Sequence, residues 1–583
     1  MIHSPFRLPR YTPFGVGESM LEWATGLAKL DKYYQQRPKT ETSFEFMRYT
    51  LDVLNIDYQL AQGTTSDIPK HGPVVIVANH PLGAIEGVIL ADLIGAVRND
   101  VKVLANQLLK RLPEIEDLFI GIDVFVSKDA ARTNANAIRE AHRHLALGGV
   151  LVVFPAGEVS TYHQGETGLS DIEWSQSVAK FVRRSQAVTV PVFIDGSNSR
   201  WFYRAGRVHP LLRTAMLGRE LLNKKASTIN ISIGSPIAYS EVKGFENDAD
   251  LVSYFRLNTY LMGRQTEQMK DYTGAYETPV MTQVDVILLE ADLAQLPPDA
   301  LLLSQGEFDV YCTHSQQIPN MMREIGRVRE VSFRSVGEGS GLACDLDEYD
   351  LHYLQLFVWN RDHQELVGAY RLGRVDQLLD QAGLEALYSR SLFRYDQAFI
   401  DSLDQSLEVG RSVVSKKYQR NLNSLLLLWK GIATFVYRHP QYTHLFGPVS
   451  ISNDYSHQAR QLMAATLSIH HYDQDKASLV QPSVPLSDKE PVFWQTGMLS
   501  ALANVSLLSK VLARMEQGKG LPVLLRQYLG MNGKLVCFNV DPTFNNALDG
   551  LIVVNLKNVP LKTLGKYMGR EQAEQYLTEE TAL

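Results

Sequence analysis

An imidazole and a carboxylate follow the apolar run 74–78. His80 lies just beyond the run, and Glu86 lies six residues beyond His80. In an open α/β sheet the carboxyl ends of the strands carry the reactive side chains, so both residues are candidates for chemistry. Residues six apart on a regular helix differ in direction by about 240°. A contact between the two side chains therefore requires a turn at 81–83, which Pro81 followed by Gly83 favours.

A second apolar run, 150–153, also leads into a turn that presents polar groups. The turn is Phe154–Gly157, and Glu158 and Ser160 follow it. Gly157 allows the backbone to approach a ligand closely, because glycine has no Cβ atom. The sequence therefore predicts functional groups at the carboxyl ends of two strands.

These two segments resemble the motifs of the glycerolipid acyltransferase family, which has Asn-His-x4-Asp after one strand and Phe-Pro-Glu-Gly-Thr after another. The basic second motif of that family is matched by 119–132, and its Val-Pro-Val strand by 190–192. The chain departs from the pattern where Ile85 fills the Asp position and where Ala156 and Glu158 replace Glu and Thr. His-Pro-x-Gly followed by an acid and Gly is similar to the branch that acylates amino-acid lipids such as lyso-ornithine lipid.

The resemblance implies that His80 is a base, which removes a hydroxyl proton during O-acyl transfer, and that Glu86 orients it. Backbone amides around Phe154–Gly157 are expected to stabilise the oxyanion. Lys128, Arg132 and Glu158 are expected to hold the acceptor head group. The remaining residues expected to bind substrate are Asn79, Gly83, Phe154, Pro155, Gly157, Ser160 and Pro191.

The second half of the chain has charged residues inside otherwise apolar strand-like segments, namely Arg371, Glu408 and Arg411. A charge in a core strand is costly unless it is paired or used, so each is a candidate site residue. A structural Arg–Glu network is the alternative interpretation.

Residues 285–555 resemble the GNAT fold, and in particular its branch that is similar to acyl-homoserine-lactone synthases. That branch has Arg on its first helix, an acidic motif ending in Asp-x-Tyr/Phe-Asp, a Gly-x-x-Arg-Leu strand and a Glu-x-x-Arg strand. The pattern is similar to N-acyltransferases that place a 3-hydroxyacyl chain on the α-amine of ornithine. The matching residues here are Arg329, Arg334, Asp347, Asp350, Arg371, Glu408 and Arg411.

An N-acyl transfer needs a neutral amine, and an α-amine with a pKa near 8 is largely protonated at neutral pH. We expect Glu408 to take that proton through water and Arg411 to hold Glu408 in place. Arg329, Arg334 or Arg371 would bind the carboxylate of the acceptor. Asp347 and Asp350 would pair with these arginines or with a cationic side chain of ornithine.

The Gly-rich coenzyme A loop of the GNAT fold is not found after Val414, where 415–421 stands instead. The chain therefore favours acyl carrier protein over coenzyme A as donor, although coenzyme A stays possible. Lys416, Lys417 and Arg420 suit an acidic carrier. We expect no bound cofactor.

The composition limits the class of protein. The 583 residues have a net charge of −7, which argues against nucleic acid as the main partner. Cys312, Cys344 and Cys537 are far apart, which predicts a reduced cytoplasmic protein without a disulfide framework or a metal site. We see neither a signal peptide nor an apolar run long enough to span a membrane. A lipid substrate would therefore be reached from the membrane surface, at the cytoplasmic face of the inner membrane.

Short β-type runs alternate with helical stretches from residue 74 to about 237, which predicts an α/β layered domain. The runs are 74–78, 101–105, 123–126, 150–154, 188–194 and 228–234. Apolar spacing predicts a helix over 44–58, which docks on the sheet or, as the alternative, faces a membrane. Segments 353–359 and 366–372 alternate as paired strands. We place the domain boundary at 280, with an O-acyltransferase domain over 1–280 and a GNAT-like mixed α/β domain over 281–583.

The two halves together resemble bifunctional ornithine lipid synthases. The GNAT-like half would make an N-(3-hydroxyacyl) amino acid, and the first half would esterify its 3-hydroxyl group. Three alternatives remain: a lysophospholipid acyltransferase with a degenerate GNAT half, an enzyme that releases an acyl amino-acid signal, and a non-catalytic membrane-binding or haemolysin-like protein.

Overall fold

The computed structural model describes residues 4–9, 11, 13–123, 130–162, 168–208, 210–264, 278–420, 422–488 and 492–578. The chain forms two compact units, Met1–Thr266 with Pro491–Leu507 and Glu267–Glu490 with Leu508–Leu583. Both units are mixed α/β, as the sequence predicts. The functional boundary at residue 280 stays a prediction.

The first unit is built on a seven-stranded sheet. Its strands are β1 (Asp57–Gln62), β2 (Val74–Ala78), β3 (Val101–Asn106), β4 (Phe119–Ile122), β5 (Val150–Val153), β8 (Val188–Ile194) and β9 (Thr228–Ile233). A separate two-stranded sheet is formed by β6 (Thr161–Tyr162) and β7 (Leu169–Ser170). The sheet order is β1-β9-β8-β2-β5-β3-β4, and neighbours are parallel except β8 and β9. The strand predicted at 123–126 lies almost entirely outside the described residues.

The helices of the first unit cover this sheet. They are α1 (Val16–Ala24), α2 (Leu27–Gln35), α3 (Ser43–Leu54), α4 (Ala84–Gly95), α5 (Ala130–Ala146), α6 (Ser177–Ser185), α7 (Arg200–Val208), α8 (Pro210–Ala215), α9 (Leu217–Asn223), α10 (Tyr239–Val242) and α11 (Asp248–Leu261). The predicted helix over 44–58 is α3, which buries Met47, Leu51 and Leu54 in the same core cluster as β2. Tyr58 lies in β1 rather than in the helix.

The valine-rich strands β2 and β5 determine where the first site lies. Every residue of both strands is buried, which is typical of parallel strands covered on both faces. They are parallel neighbours, with Val77 opposite Val153. The segments that follow them, which carry His80 and Phe154, therefore leave the sheet side by side at its carboxyl edge.

The second unit contains an eight-stranded sheet and a short strand pair. Its strands are β10 (Leu301–Gln305), β11 (Phe308–His314), β12 (Leu354–Asn360), β13 (Glu365–Arg374), β14 (Phe393–Arg394), β15 (Ser406–Val414), β16 (His444–Ile451), β17 (Gln481–Pro482), β18 (Lys534–Asp541) and β19 (Ala547–Asn555). The sheet order is β10-β11-β12-β13-β15-β16-β19-β18. The predicted strand pair is present as β12 and β13, which are antiparallel.

The remaining helices lie beyond residue 278. They are α12 (Val286–Ala294), α13 (Pro319–Arg334), α14 (Val375–Ala382), α15 (Gln397–Asp401), α16 (Leu422–Arg438), α17 (His457–His470), α18 (Gln474–Ala477), α19 (Val505–Met515), α20 (Val523–Gly530), α21 (Leu561–Met568) and α22 (Arg570–Thr578). Several of them, such as α13 and α16, contact this second sheet. Among the described residues no single helix is long and apolar enough to cross a membrane, although the bent pair Thr496–Leu502 and Val505–Met515 reaches that length and apolarity when taken together.

The second sheet opens between β15 and β16, its one parallel pair. Their described ladder extends only from Ser406 opposite His444 to Glu408 opposite Phe446, although both strands continue well beyond it. Gly447 lies at the point of opening, where a Cβ atom would overlap the carbonyl oxygen of Val409. On the other strand, the Cβ position of Gly410 has no atom within 4 Å.

We predict that Gly447→Ala lowers the free energy of unfolding by about 3 kcal/mol, because the new methyl group must displace the backbone of β15. Thermal and denaturant unfolding of the whole protein would measure the change. Gly410→Ala is the matched control on the neighbouring strand and should change stability by less than about 1 kcal/mol. Equal stability of the two variants would contradict the close approach of the strands at Gly447.

Candidate active sites

The first site is centred on an ion pair between His80 and Glu86. Nδ1 of His80 lies 2.6 Å from Oε2 of Glu86, and the His80 side chain is 18% exposed while that of Glu86 is fully buried. The chain bends over 81–83 before α4 begins at Ala84, so the turn that the contact requires is present. The two side chains form an ion pair when His80 is protonated.

Glu86 is held by the N-terminus of α4. Its carboxylate accepts hydrogen bonds from the backbone N–H groups of Leu82 and Gly83, the latter at 2.8 Å. Gly83 has a φ of 99°, which favours glycine, and a Cβ atom there would lie 2.7 Å from a methyl group of Leu217. Gly83 was expected to bind substrate, but here it shapes the turn that brings Glu86 back to His80.

The charge of Glu86 changes the titration of His80. Burial by itself lowers the pKa of His80, but the carboxylates of Glu86 and Asp171 more than offset this effect. The pKa of His80 consequently lies above its ordinary value of 6.5. Glu86 therefore stabilises the imidazolium form, which is the form that a general base adopts after it has taken a proton.

Asp171 is a site residue that the sequence motifs did not reveal. It is 1% exposed and accepts hydrogen bonds from the backbone N–H of His80 at 3.2 Å, from the Ser160 hydroxyl group and from Nε1 of Trp174 at 2.8 Å. Its own backbone N–H donates to the hydroxyl oxygen of Tyr260. One buried carboxylate therefore joins the His80 segment to the segment after β5.

The loop that follows β5 contacts the imidazole. The rings of Phe154 and His80 lie 4.6 Å apart between centroids, and the backbone N–H of Ser160 donates to the carbonyl oxygen of His80 at 2.8 Å. Pro155 has no N–H, and the N–H of Gly157 donates to the carbonyl oxygen of Phe154. These two positions therefore do not offer the free oxyanion donors that we expected from the turn.

Several other expected substrate-binding residues have structural contacts. The side chain of Asn79 bonds to both the N–H and the carbonyl group of Ile194, so it joins β2 to β8. Pro191 is buried inside β8, and its carbonyl accepts from the N–H of Gly234. Glu158 forms an ion pair with Arg213. Arg132 is exposed near the start of α5, and Lys128 lies outside the described residues.

The second site is a network of arginines and aspartates. Arg329 is fully buried and donates to both carboxylate oxygens of Asp350, at 2.9 and 3.0 Å. Nη1 of Arg371 lies 2.5 Å from Oδ1 of Asp347 and 3.5 Å from Oδ1 of Asp350. The structure therefore pairs the aspartates with the arginines, which is one of the two roles that we expected for them.

Arg411 occupies a β-bulge in β15. Its φ is 48°, and the ladder with β13 shifts register at this point. The guanidinium lies 3.2 Å from Asp347 and 3.8 Å from Asp345, so Arg411 pairs with aspartates rather than holding Glu408 as expected. Nε of Arg411 and Nη2 of Arg371 are buried and have no hydrogen-bond partner among the described residues.

Glu408 anchors the segment at 388–389 and the side chain of Tyr353 to β15. It is 1% exposed and accepts from the Tyr353 hydroxyl group and from the backbone N–H groups of Tyr388 and Ser389, the last at 2.7 Å. Burial and the charge of Glu408 raise the pKa of Tyr353 well above its usual value. These three donors occupy the carboxylate that we expected to accept a proton.

Arg334 lies outside this network. It donates to Glu330 at 2.6 Å and to the carbonyl oxygens of Thr278 and Leu342. Glu330 in turn binds the backbone N–H groups of Ser340 and Gly341. Arg334 therefore stabilises a loop, because its guanidinium is already bonded to these groups.

The basic group after β15 is at the surface. Lys416 and Arg420 are exposed, and Lys417 pairs with Glu365. Among the described residues no group of His, Cys, Asp or Glu side chains is arranged to hold a metal ion.

Comparison with known proteins matches two separate parts of the chain to two different families. Residues 38–268 match the family model described as Acyltransferase, and residues 328–430 match the model described as Acetyltransferase (GNAT) domain. Both halves resemble acyl-transfer domains. The matches support an enzyme of the transferase type, with an acyltransferase-type first domain and a GNAT-type second domain.

Curated relatives carry two different activities in their names. The glycine N(alpha)-acyltransferase of Bacteroides thetaiotaomicron is 35% identical over 226 residues, which cover 36% of this chain and 66% of the relative. The lyso-glycine lipid O-acyltransferase of Phocaeicola vulgatus is 28% identical over 209 residues, which cover 34% of this chain and 71% of the relative. The chain spans 66% and 63% of the length of the two glycine N-acyltransferases that it matches.

The solved 1-acyl-sn-glycerophosphate (LPA) acyltransferase of Thermotoga maritima is 16% identical, with a TM-score of 0.27, over 43% of this chain and 90% of that protein. A likeness this weak bears on neither fold nor function.

We predict that Glu86→Gln lowers the pKa of His80, because a neutral amide no longer offsets the burial that disfavours the imidazolium form. In the unchanged protein His80 should titrate above its ordinary value, so its charge persists to higher pH than in the variant. An NMR titration with labelled histidine, in which the His80 signal is assigned by its loss in His80→Gln, would measure the difference. Glu158→Gln, whose carboxylate pairs with Arg213, is the control and should leave the titration unchanged. A pKa that is equal or higher in Glu86→Gln would contradict the pairing.

Proposed function

We propose that the protein is a two-domain acyltransferase that makes an amino-acid lipid in two steps. The second unit would place a 3-hydroxyacyl chain on the α-amine of an amino acid, and the first unit would acylate the 3-hydroxyl group of the product. The observation that carries this proposal is that one chain resembles both a glycine N-acyltransferase and a lyso-glycine lipid O-acyltransferase. In sequence, those two activities would convert an amino acid into a diacylated lipid.

For the O-acyl step we propose His80 as the general base. Nδ1 faces Glu86, so Nε2 is the nitrogen that would take the hydroxyl proton of the acceptor. The oxygen would then attack the carbonyl carbon of a thioester, the C–S bond would break, and the imidazolium would return the proton to the leaving thiolate. The raised pKa of His80 supports this role, because it indicates an environment that stabilises the protonated intermediate state.

For the N-acyl step we propose that Arg371 and Arg411 bind the carboxylate of the amino acid. Each has a buried guanidinium nitrogen without a partner among the described residues, while its remaining contacts hold it in place. A carboxylate could use these donors directly. Arg329 donates from its two terminal nitrogens to Asp350 and Gln355. It would therefore hold Asp350 in position rather than bind the substrate.

Ornithine is the head group that we propose, because the motifs of the second half are similar to ornithine N-acyltransferases. Glycine is the competing head group, since the relatives are named for it. We propose an acyl carrier protein as the donor, supported by the exposed cations Lys416 and Arg420 just beyond the open end of β15.

Expression in a bacterium that makes no amino-acid lipids would test the scheme. The unchanged protein should yield a diacylated lipid with an ornithine head group. His80→Ala should accumulate the mono-acylated amide, with at least about 100-fold less diacylated product, because a general base contributes about that much. Arg411→Gln should yield neither lipid, because the first acceptor is no longer held.

Mass spectrometry of extracted lipids would measure both species. The exposed residue His71 and the peripheral residue Arg361 give the controls His71→Ala and Arg361→Gln, which should produce the lipid normally. A glycine head group would contradict ornithine but retain the two steps. Diacylated lipid from His80→Ala at the normal level would refute the role of His80.

We further propose that the protein works at the membrane surface through α1. Phe14, Met20 and Trp23, in and just before this helix, are 103%, 68% and 80% exposed. The carboxylates of the same helix face inward, where Glu22 accepts from the N–H of Leu8 and Glu18 from the N–H of Tyr11. An exposed apolar face with its acids turned inward favours contact with lipid over contact with water.

We predict that the double substitution Met20→Ser with Trp23→Ser weakens vesicle binding by at least about 10-fold, because two large apolar side chains no longer leave water. Co-sedimentation of the full chain with phosphatidylethanolamine–phosphatidylglycerol vesicles would measure this change. Leu147→Ser removes another exposed apolar side chain (82% exposed) from the same unit and should leave binding unchanged. Equal binding by all three proteins would remove α1 from the membrane contact.

A further inference from the structure

Three buried carboxylates lie together on one face of the second sheet. Asp549 of β19 is directly opposite Ser450 of β16 on one side and Asn539 of β18 on the other. Asp541 is two residues beyond Asn539, so it shares the face of Asp549 and is its diagonal neighbour. Glu338, from the loop after α13, accepts a hydrogen bond from the hydroxyl group of Ser450 at 3.0 Å, which brings it to the same face. We call Glu338, Asp541 and Asp549 the carboxylate cluster.

The carboxylate cluster adjoins the guanidinium of Arg411. Phe544, which follows Asp541 in the turn between β18 and β19, has its ring centroid 4.5 Å from the guanidinium carbon. The side chain of Arg411 is 10% exposed, and its Nε is without a hydrogen-bond partner among the described residues. A buried, unused donor beside buried carboxylates indicates a ligand that carries both an anionic and a cationic group.

The carboxylate cluster is reached through the opening of the sheet. Ser450 lies on the part of β16 that has separated from β15, and it is exposed, whereas Glu338, Asp541 and Asp549 are 6%, 3% and 5% exposed. On the facing strand, the space beside Gly410 is open. A small acceptor that enters here would meet the cluster and Arg411 together.

The cluster is poorly compensated as it stands. Burial raises the pKa of Glu338 to about 7, a shift that the Ser450 hydroxyl group opposes and that Asp454 and Asp541 increase. Burial also raises the pKa of Asp549 well above its ordinary value, and Asp541 and Glu338 add to the effect while Arg411 opposes it. Buried carboxylates that repel one another are stabilised by a cation, and an ammonium group is the cation that an amino acid supplies.

We propose that the carboxylate cluster is the amine subsite of the N-acyl transfer reaction, and that Glu338 is the group that takes the proton from the acceptor ammonium. This inference rests on the proposed N-acyl transfer function. It assigns the proton acceptor to a residue that the sequence motifs did not identify. Glu408 remains an anchoring residue, since its carboxylate is occupied by Tyr353, Tyr388 and Ser389.

The step balances without any further reagent. The ammonium gives one proton to the Glu338 carboxylate, and the nitrogen lone pair of the resulting amine attacks the carbonyl carbon of the acyl thioester. The C–N bond forms and the C–S bond breaks. The second proton that the nitrogen loses passes to the leaving thiolate, and Glu338 releases its proton to solvent.

Rates of N-acylation by the full chain, with a 3-hydroxyacyl thioester of acyl carrier protein and either ornithine or glycine, would test this assignment. In the unchanged protein kcat/KM for the amine should rise with pH as Glu338 loses its proton, with a midpoint near 7. Glu338→Gln should lower the rate at neutral pH by about 100-fold and abolish this rise, because no carboxylate takes the proton.

Ser450→Ala provides a second test that does not depend on how well Glu338→Gln folds. Ser450 is exposed, and its hydrogen bond lowers the pKa of Glu338, so its loss should move the midpoint to higher pH while the rate at high pH is retained. Asp309→Asn alters a buried carboxylate of β11, far along the sheet order from β16, and is the control that should leave the pH profile unchanged.

Two results would overturn the inference and can be told apart. An active unchanged protein whose pH profile is the same in Glu338→Gln and Ser450→Ala would refute the role of Glu338 alone. Absence of acyl transfer to either amine by the unchanged protein would refute the proposed function, and this inference with it.

Discussion

The burial of one charge determines the geometry of the first site. Glu86 is fully buried, and a carboxylate in that position is costly unless donors surround it. The N–H groups of Leu82 and Gly83 supply these donors, and the imidazole of His80 adds an ion-pair contact. The positive end of α4 adds to the stabilisation, because Glu86 lies in its first turn. The helix start, the turn and the orientation of the imidazole therefore depend on the same carboxylate.

The second unit also pairs buried charges with one another, but some of its buried charged groups keep unused hydrogen-bonding atoms. Arg329 is fully buried and donates to Asp350 and Gln355 through both of its terminal nitrogens, so it forms a rigid support. Arg371 and Arg411 each keep a buried nitrogen without a hydrogen-bond partner among the described residues. Burial and mutual repulsion raise the pKa values of the acids Glu338 and Asp549. Complementary groups that do not satisfy one another are typical of a binding site, because the ligand completes the network.

The sequence predicted those parts of the fold and site that are encoded locally. Valine-rich runs identified β2 and β5, and the Pro–Gly turn identified the contact between His80 and Glu86, because each depends on residues close along the chain. Asp171 was missed because it contacts His80 across 91 residues and belongs to no recognisable motif. Of the oxyanion donors expected from the turn after β5, the amide of Gly157 is already bonded to the carbonyl of Phe154, since hydrogen bonding within a turn cannot be deduced from composition.

In the second half, the residue types identified several charged residues of the site, but the sequence did not predict which of them contact one another. Arg371, Asp347 and Asp350 do come together, as charges in core strands require. Arg334 and Glu408 were assigned to chemistry, but each is occupied by backbone groups of a loop, which only the folded chain brings near. Asp549 went unnoticed because strand register makes it a neighbour of Ser450, and Glu338 because only the folded loop after α13 brings it to the same serine.

The contacts of Asp171 also affect how the first site can move. A single carboxylate receives the amide of His80, the hydroxyl group of Ser160 and the indole of Trp174. Neither the imidazole segment nor the loop beside it can shift alone without breaking a bond to the same group. Fluctuations of the two segments are therefore correlated, and the imidazole and the neighbouring loop keep their mutual distance while the surrounding protein moves. Little reorganisation then remains to be done when a reaction begins.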